Sequence, residues 1–289
     1  MKIYVVIGPT TSGKTGYALS LAKRIGGEII SGDSMQIYRG MDIGTAKPAK
    51  EEMAEVPHHL IDVADISEPF SAVKFVSLAR KAIEDVASRG KIPIIAGGTG
   101  LYIDMLINGT SPVDTDSDPD LRAQLYAFAE EHGADALHEK LAKADPEAAS
   151  AIHPNNVKRV VRAIEIYELS GVTKTDSDRR SRDGVKAYDA HVVMLAPKDR
   201  DSLYKRIGER VDKMIASGLE DEVRRLCGRG LRSAPTAAQA IGYKEFYPMF
   251  DGLCGIGEVV NAIKLDTRHY AKRQLTWFSR VHKDEVIEV

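Results

Sequence analysis

Cysteine is scarce: Cys227 and Cys254 are the two in 289 residues, they stand far apart without CxxC spacing, and neither a disulfide framework nor a zinc site has the residues it needs. Both are expected as free thiols. Long apolar runs are absent too. The longest, such as residues 92–96, are much too short to cross a bilayer, and no basic-then-apolar leader precedes the first strand. No membrane association is expected, and the chain reads as cytoplasmic. Internal repeats and low-complexity tracts are missing. With 43% hydrophobic and 28% charged residues, the composition excludes a fibrous or disordered chain. The length excludes a stapled mini-protein and leaves room for one large domain, or for a main domain with a smaller one inserted.

Net charge is nearly absent as well, at −2 formally, but it is unevenly spread. Residues 110–150 hold ten acidic and three basic side chains, residues 158–210 thirteen basic and nine acidic, and residues 264–283 six basic and one acidic. The two basic stretches suit either contact with a polyanion or solvated helix faces, and charge counts do not choose between them.

Residues 2–7 are β-branched and apolar, the look of a buried parallel strand, and run straight into a glycine loop. A helix is expected over 15–25, short strands over 28–31 and 60–64, and a helix over 71–88, where Phe75, Leu78, Ala82, Ile83 and Val86 fall at helical spacing. Another buried strand spans 92–96, and Gly97, Gly98 and Gly100 break it before a helix over 101–106. From 119 to 171 the pattern is helical only, with breaks at Gly133, Pro146 and Pro154. A strand returns over 190–195, and helices follow over 201–280 with turns near Gly218, Gly228, Pro235 and Gly252. Alternating strands and helices predict a parallel sheet covered by helices. The expected organisation is a core domain built from 1–115 and 186–289, and a small all-helical insertion domain over 116–185.

The segment after the first strand, Gly8, Pro9, Thr10, Thr11, Ser12, Gly13, Lys14 and Thr15, satisfies the P-loop pattern GxxxxGK[ST]. In such a loop backbone N–H groups surround phosphate oxygens, the lysine ammonium neutralises them and the threonine hydroxyl can hold Mg²⁺. Asp33 follows the second strand, at the end of a parallel sheet that faces ligand. Three roles stay open for it: general base, outer Mg²⁺ ligand, or turn residue in Ser-Gly-Asp-Ser. Asp42 is a second candidate in the same loop, read more readily as a structural partner for Arg39. On the helix near 158–169, Val157, Val160, Val161, Ile164 and Tyr167 form an apolar stripe while Lys158, Arg159 and Arg162 project elsewhere, toward nucleic-acid phosphates or solvent. Near the C-terminus Thr267, Tyr270, Gln274 and Trp277 recur at helical spacing, as core packing or as the wall of a channel.

Taken together, GPTTSGKT, SGDSMQIYRGMDIGTAKP, IIAGGTGLY, NNVKRVVRAIE, RIGERVDKMIASGLEDEV, AIGYKEF and TRHYAKRQLTWF resemble, in order, the tRNA dimethylallyltransferases of bacterial type. The resemblance implies a P-loop NTPase-like core and transfer of a dimethylallyl group from dimethylallyl diphosphate to N6 of the adenosine immediately 3′ of the anticodon. It implies Asp33 as general base, Lys14 and Arg210 with the loop residues 8–15 on the diphosphate, and Mg²⁺ through Thr15. It implies contacts to the tRNA anticodon stem-loop from Asp33, Ser34, Met35, Gln36, Thr99, Arg122, Lys158, Arg159, Val160, Val161 and Arg162, and from Gln239, Ala240, Ile241, Gly242, Tyr243 and Lys244. Tyr270 and Trp277 are expected along the reaction channel, and the protein is expected to act as a monomer. SGVTKTDSDRR departs from the family sequence, and Thr11 stands where the family often has alanine. Rival readings are a nucleoside kinase, which needs ATP and no RNA, a prenyltransferase of free AMP, and an RNA-binding module with a vestigial loop.

Overall fold

The computed structural model describes residues 1–110, 118–182 and 188–289. It divides into two compact units, Met1–Ile107 with Ala187–Val289, and Asn108–Lys186. The expected junctions at 115/116 and 185/186 lie outside the described residues.

In the first unit six parallel strands form one sheet in the order β3-β2-β4-β1-β5-β6: β1 Lys2–Ile7, β2 Gly27–Ser31, β3 His58–His59, β4 Ile92–Gly97, β5 Asp189–Ala196 and β6 Glu285–Glu288. Alternation along β1 explains the layering. Ile3, Val5 and Ile7 enter the larger apolar core, while Val6 enters a second one with Ala18, Leu21 and Ala22, so apolar side chains leave both faces of the sheet. The helices are α1 Lys14–Ile25, α2 Lys50–Glu55, α3 Ala72–Ser88 and α4 Gly100–Asn108, then, in the second unit, α5 Pro119–His132, α6 Ala134–Ala144, α7 Pro146–Ala151, α8 Val157–Ser170 and α9 Lys174–Arg182. The first unit resumes with α10 Arg200–Ala216, α11 Leu219–Gly228, α12 Tyr247–Phe250 and α13 Ile256–Phe278. Helix boundaries follow local chemistry. Ser71 caps α3 by accepting from Lys74 N–H, Asp199 caps α10 by accepting from Ser202 N–H, and Gly26 ends α1 in the left-handed region at φ 68°.

Two expectations are corrected. The strand predicted over 60–64 lies instead at His58–His59, because Leu60 and Asp62 take positive φ, 62° and 56°, which breaks the ladder and leaves a single bridge between Tyr38 and Ala64. β6 has no counterpart among the strands the sequence predicts. It borrows its order from the free edge of β5, pairing Val193 with Glu285 through Ala196 with Glu288. The segment that departs from the family sequence forms most of α9. The second unit has its own core, in which Leu125, Leu137, Leu141, Val160, Val161 and Ile164 pack. No helix among the described residues is long and apolar enough to cross a membrane.

At one end of the sheet, buried Glu28 of β2 holds Arg89 at the end of α3 and His59 of β3, with Arg89 Nη2 and His59 Nε2 at 2.8 and 2.7 Å from Oε2. The Arg89 hydrogen bonds, with help from His59 and against burial, push the Glu28 carboxyl down to about 2. A depressed carboxyl stabilises the fold above its ordinary value of 4.5 and loses that contribution as pH falls toward 2. Glu28→Gln is therefore expected to lower unfolding free energy at neutral pH by about 2–3 kcal/mol. In denaturant titrations the difference from the wild type should shrink as the solution is acidified below 4.5.

Candidate active site

The loop after β1 is shaped by positions where the backbone must come close or turn left. A Cβ on Gly8 would sit 2.7 Å from the Leu195 carbonyl and from Ser12 Oγ, so only glycine lets the loop lie against β5. Thr11 at φ 63° and Gly13 at φ 78° then bend the chain into a concave nest that enters α1. Ser12 N–H donates to Pro9 O at 3.2 Å, and Lys14 Nζ donates to the same carbonyl at 3.2 Å. The hydroxyl oxygens of Thr11 and Ser12 are buried with no hydrogen-bond partner among the described residues. An unspent donor enclosed in a nest, as at Thr11, suits an anion rich in acceptor oxygens. The loop is pinned from the far end of the chain: Thr10 N–H donates to Gln274 Oε1 at 2.8 Å, and Gln274 Nε2 donates to Gly98 O at 2.9 Å.

A cavity of about 500 Å³ opens where β1, β2 and β4 end, the ligand end of a parallel sheet. Thr10, Lys14, Thr15 and Arg210 line one part; Asp33, Ser34, Met35 and Gln36 line another, with Thr267, Tyr270, Arg273 and Gln274 of α13 along the side. Residues 44–46, residues 239–242, Lys244 and Asp266 also line it, with Ala96, Gly97, Val211, Met214 and Ile263. A second cavity of about 390 Å³ shares Lys14, Thr15 and Arg210 and adds Thr11, Gly13, Arg206, Glu209 and Lys213. Arg206, Arg210 and Lys213 recur at helical spacing on α10 and so present one basic face.

Charge in the cavity is unbalanced. Burial, and then the Arg210 guanidinium, push the Lys14 ammonium down to about 8, with Asp33 opposing the shift. Burial also lowers Arg210, again opposed by Asp33. Two desolvated cations face one carboxylate, and an entering anion removes the repulsion. Burial, then Asp33, raises the Tyr270 hydroxyl, which keeps it a proton donor.

Asp33 takes its expected turn role and keeps one carboxylate oxygen unengaged. As a turn residue it accepts Met35 N–H at 2.8 Å and Gln36 N–H at 3.4 Å, both on Oδ1; among the described residues nothing hydrogen-bonds Oδ2, and the side chain lines the cavity. The loop behind it is tied down by Ser34 N–H to Thr99 Oγ1 at 3.1 Å, and by the Gln36 amide to the carbonyls of Thr45 and Ala46, both at 3.3 Å.

Several sequence-predicted residues are placed elsewhere. Gly8, Pro9 and Ser12 are buried and line neither cavity. Tyr243 is wholly buried and turns its hydroxyl to Glu222 at 2.7 Å. Trp277 lies outside the cavity lining and packs on Gly100, where a Cβ would meet its ring at 2.4 Å. Asp42 pairs with Lys47, at 2.6 Å, rather than with Arg39. In the second unit Val160 and Val161 are core side chains, closed to side-chain contact. Arg122 and Arg162 both hold the buried Glu165, Nε to Oε1 at 2.8 Å and Nη1 to Oε2 at 2.6 Å. Burial alone would raise the Glu165 carboxyl, but these hydrogen bonds bring it below its ordinary value. Lys158 and Arg159 are exposed. Sequence reasoning missed the two hydrogen bonds of Gln274 and the basic face of α10; a polar residue inside an apolar stripe was the available signal for the first, and the spacing of 206, 210 and 213 for the second.

Chemically, the cavity can hold a diphosphate against the loop, Lys14 and Arg210, and place a second reactant beside Asp33. A family model described as IPP transferase matches residues 36–281. A tRNA dimethylallyltransferase of Geobacillus thermodenitrificans is 52% identical over 277 residues, covering 96% of this chain and 87% of that protein. One of Bacillus subtilis is 49% identical over 276 residues, with coverage of 96% and 87%. The crystal structure of a full-length tRNA isopentenylpyrophosphate transferase from Bacillus halodurans superposes with a TM-score of 0.73 at 46% identity, covering 99% of this chain and 89% of that one. A eukaryotic dimethylallyltransferase, in crystallographic snapshots of its action on tRNA, gives 0.80 at 31% identity, with coverage of 96% and 69%.

Proposed function

We infer the activity from one premise: this chain belongs to the IPP transferase family. It is a tRNA dimethylallyltransferase, moving a dimethylallyl group from dimethylallyl diphosphate to N6 of the adenosine immediately 3′ of the anticodon and releasing diphosphate. The observation that carries the assignment of roles is that Lys14, Arg210 and Asp33 line one cavity.

We assign the diphosphate to Lys14, Arg210 and the loop amides other than those of Thr10 and Ser12, which are already bonded. As the C1–O bond of the donor breaks, its electron pair leaves with the diphosphate, and charge grows where the two cations already stand. We assign Asp33 as the base. The adenine amine is a weak nucleophile, its lone pair shared with the ring, and as the N6–C1 bond forms its proton passes to the Asp33 carboxylate. The acceptor base leaves its stack to reach the cavity. For the anticodon stem-loop we propose Lys158 and Arg159 of the second unit, which are exposed, and the loops around Gln36 and Gln239.

A divalent ion fits this site in one manner. Among the described residues no group of three or more His, Cys, Asp or Glu can hold a metal, so an ion here takes most of its ligands from the diphosphate. Thr15, lining both cavities, is the residue we propose to complete its coordination, with Mg²⁺ the natural choice for phosphate oxygens. When bound it would neutralise leaving-group charge.

The test is incubation with labelled dimethylallyl diphosphate, Mg²⁺ and unmodified tRNA, beside AMP and ATP controls. Label in tRNA alone is expected; label in AMP, or consumption of ATP with a nucleoside present, would overturn the reading. The pH dependence offers a sharper check. Lys14 loses its charge as pH rises through about 8, so kcat/KM for the donor should fall above that value. Because Arg210 depresses Lys14, Arg210→Ala should move the inflection to higher pH in whatever activity remains.

A further inference from the structure

One buried carboxylate near the cavity has no task in the transfer reaction. Glu222 of α11 is 2% exposed and lines neither cavity. A carboxylate so enclosed persists only where hydrogen bonds replace its hydration. Its partners come from two distant segments. Ile43 N–H lies 3.1 and 2.9 Å from its two oxygens, Gly44 N–H donates to Oε1 at 3.2 Å, and the Tyr243 hydroxyl donates to Oε1 at 2.7 Å. The Tyr243 ring closes on the same place. A Cβ on Gly44 would lie 2.4 Å from its Cε2, so glycine is what lets the chain lie flat on the ring.

Both segments joined by Glu222 face the cavity. Gly44, Thr45 and Ala46 line it from one, Ala240 to Gly242 from the other. The Thr45 and Ala46 carbonyls receive the Gln36 side chain, and Gln36 N–H in turn donates to Asp33 Oδ1 at 3.4 Å. The diphosphate end is held by a different set of bonds, through Pro9, Gln274 and Gly98. We propose that Glu222 is a positioning residue for the acceptor: by clamping residues 43 and 44 onto Tyr243 it sets the cavity wall against which the acceptor nucleoside lies beside Asp33, without touching it. The proposal rests on the prenyl-transfer reading, which makes this wall the acceptor side.

Glu222→Gln keeps the size of the side chain but replaces an acceptor with a donor facing three donors. With active enzyme titrated, it should raise KM for tRNA by about tenfold or more and lower kcat, with KM for dimethylallyl diphosphate unchanged. Tyr243→Phe keeps the ring on Gly44 and removes one bond; a rise of a few-fold in the same constant, about 2–5-fold, is expected. Equal changes in both KM values, or a loss of folded protein with unaltered constants in the remainder, would assign Glu222 to general stability and overturn the proposal. Should Glu222→Gln not fold, Tyr243→Phe decides: an unchanged KM for tRNA overturns it. Wild-type enzyme that carries no label to tRNA is a separate outcome, which overturns the prenyl-transfer reading itself.

Discussion

Asp33→Asn is expected to lower kcat by about 10²- to 10⁴-fold, the contribution of a positioned base, while the thermal midpoint stays near that of the wild type. The choice of asparagine follows from the geometry. Oδ1 of Asp33 organises the turn by accepting Met35 and Gln36 N–H, and an asparagine carbonyl keeps that function. The amide nitrogen that replaces Oδ2 cannot take a proton. Asp33→Ala loses both functions, so it should match asparagine in kcat and add a rise in KM for tRNA as the loop that carries Ser34 to Gln36 loosens. If Asp33→Asn keeps more than about a tenth of the wild-type rate, the N6 proton leaves by another route and Asp33 is a turn residue only.

The second large effect is expected at Lys14. Its ammonium spends one hydrogen bond on a loop carbonyl and is held in a position that burial and Arg210 make unfavourable, so removing it should leave stability unchanged or slightly improved. Catalysis should suffer instead. Lys14→Met is expected to lower kcat by about 10²- to 10³-fold, as for other groups aimed at charge that develops in the transition state. The comparison that matters is kcat against KM for the donor. A change confined to KM would mean that Lys14 grips the diphosphate equally before and during transfer, and its assignment to the leaving group would fail. Arg210→Lys separates charge from shape: a lysine restores the charge, and any remaining deficit belongs to the planar fork that can meet two phosphate oxygens together.

What could be read before folding was what is local. The glycine loop is contiguous, and its close approach at Gly8 and left-handed Gly13 are written into eight successive residues. The strands of the sheet interior announced themselves as short apolar runs because both faces are covered, and the helical run from 119 to 171 did so by period. Edges were harder. β6 has four residues, three of them exposed, too little signal without the neighbour that supplies its ladder. The strand sought at 60–64 failed because positive φ at Leu60 and Asp62 is set by the loops that surround them.

The residues of the site divide in the same way. Sequence by itself determined the phosphate loop, the carboxylate after β2 and the family to which both belong. Only tertiary structure decided that Gln274 would hold Thr10 across 264 positions, that Glu222 would hold Ile43 across 179, and that Tyr243 and Trp277 would turn away from the cavity. The physical reason is that a periodic pattern records which face of an element is apolar, whereas the partner of a buried polar group is chosen by whichever donor or acceptor the packed chain brings to it, and that choice leaves no local trace.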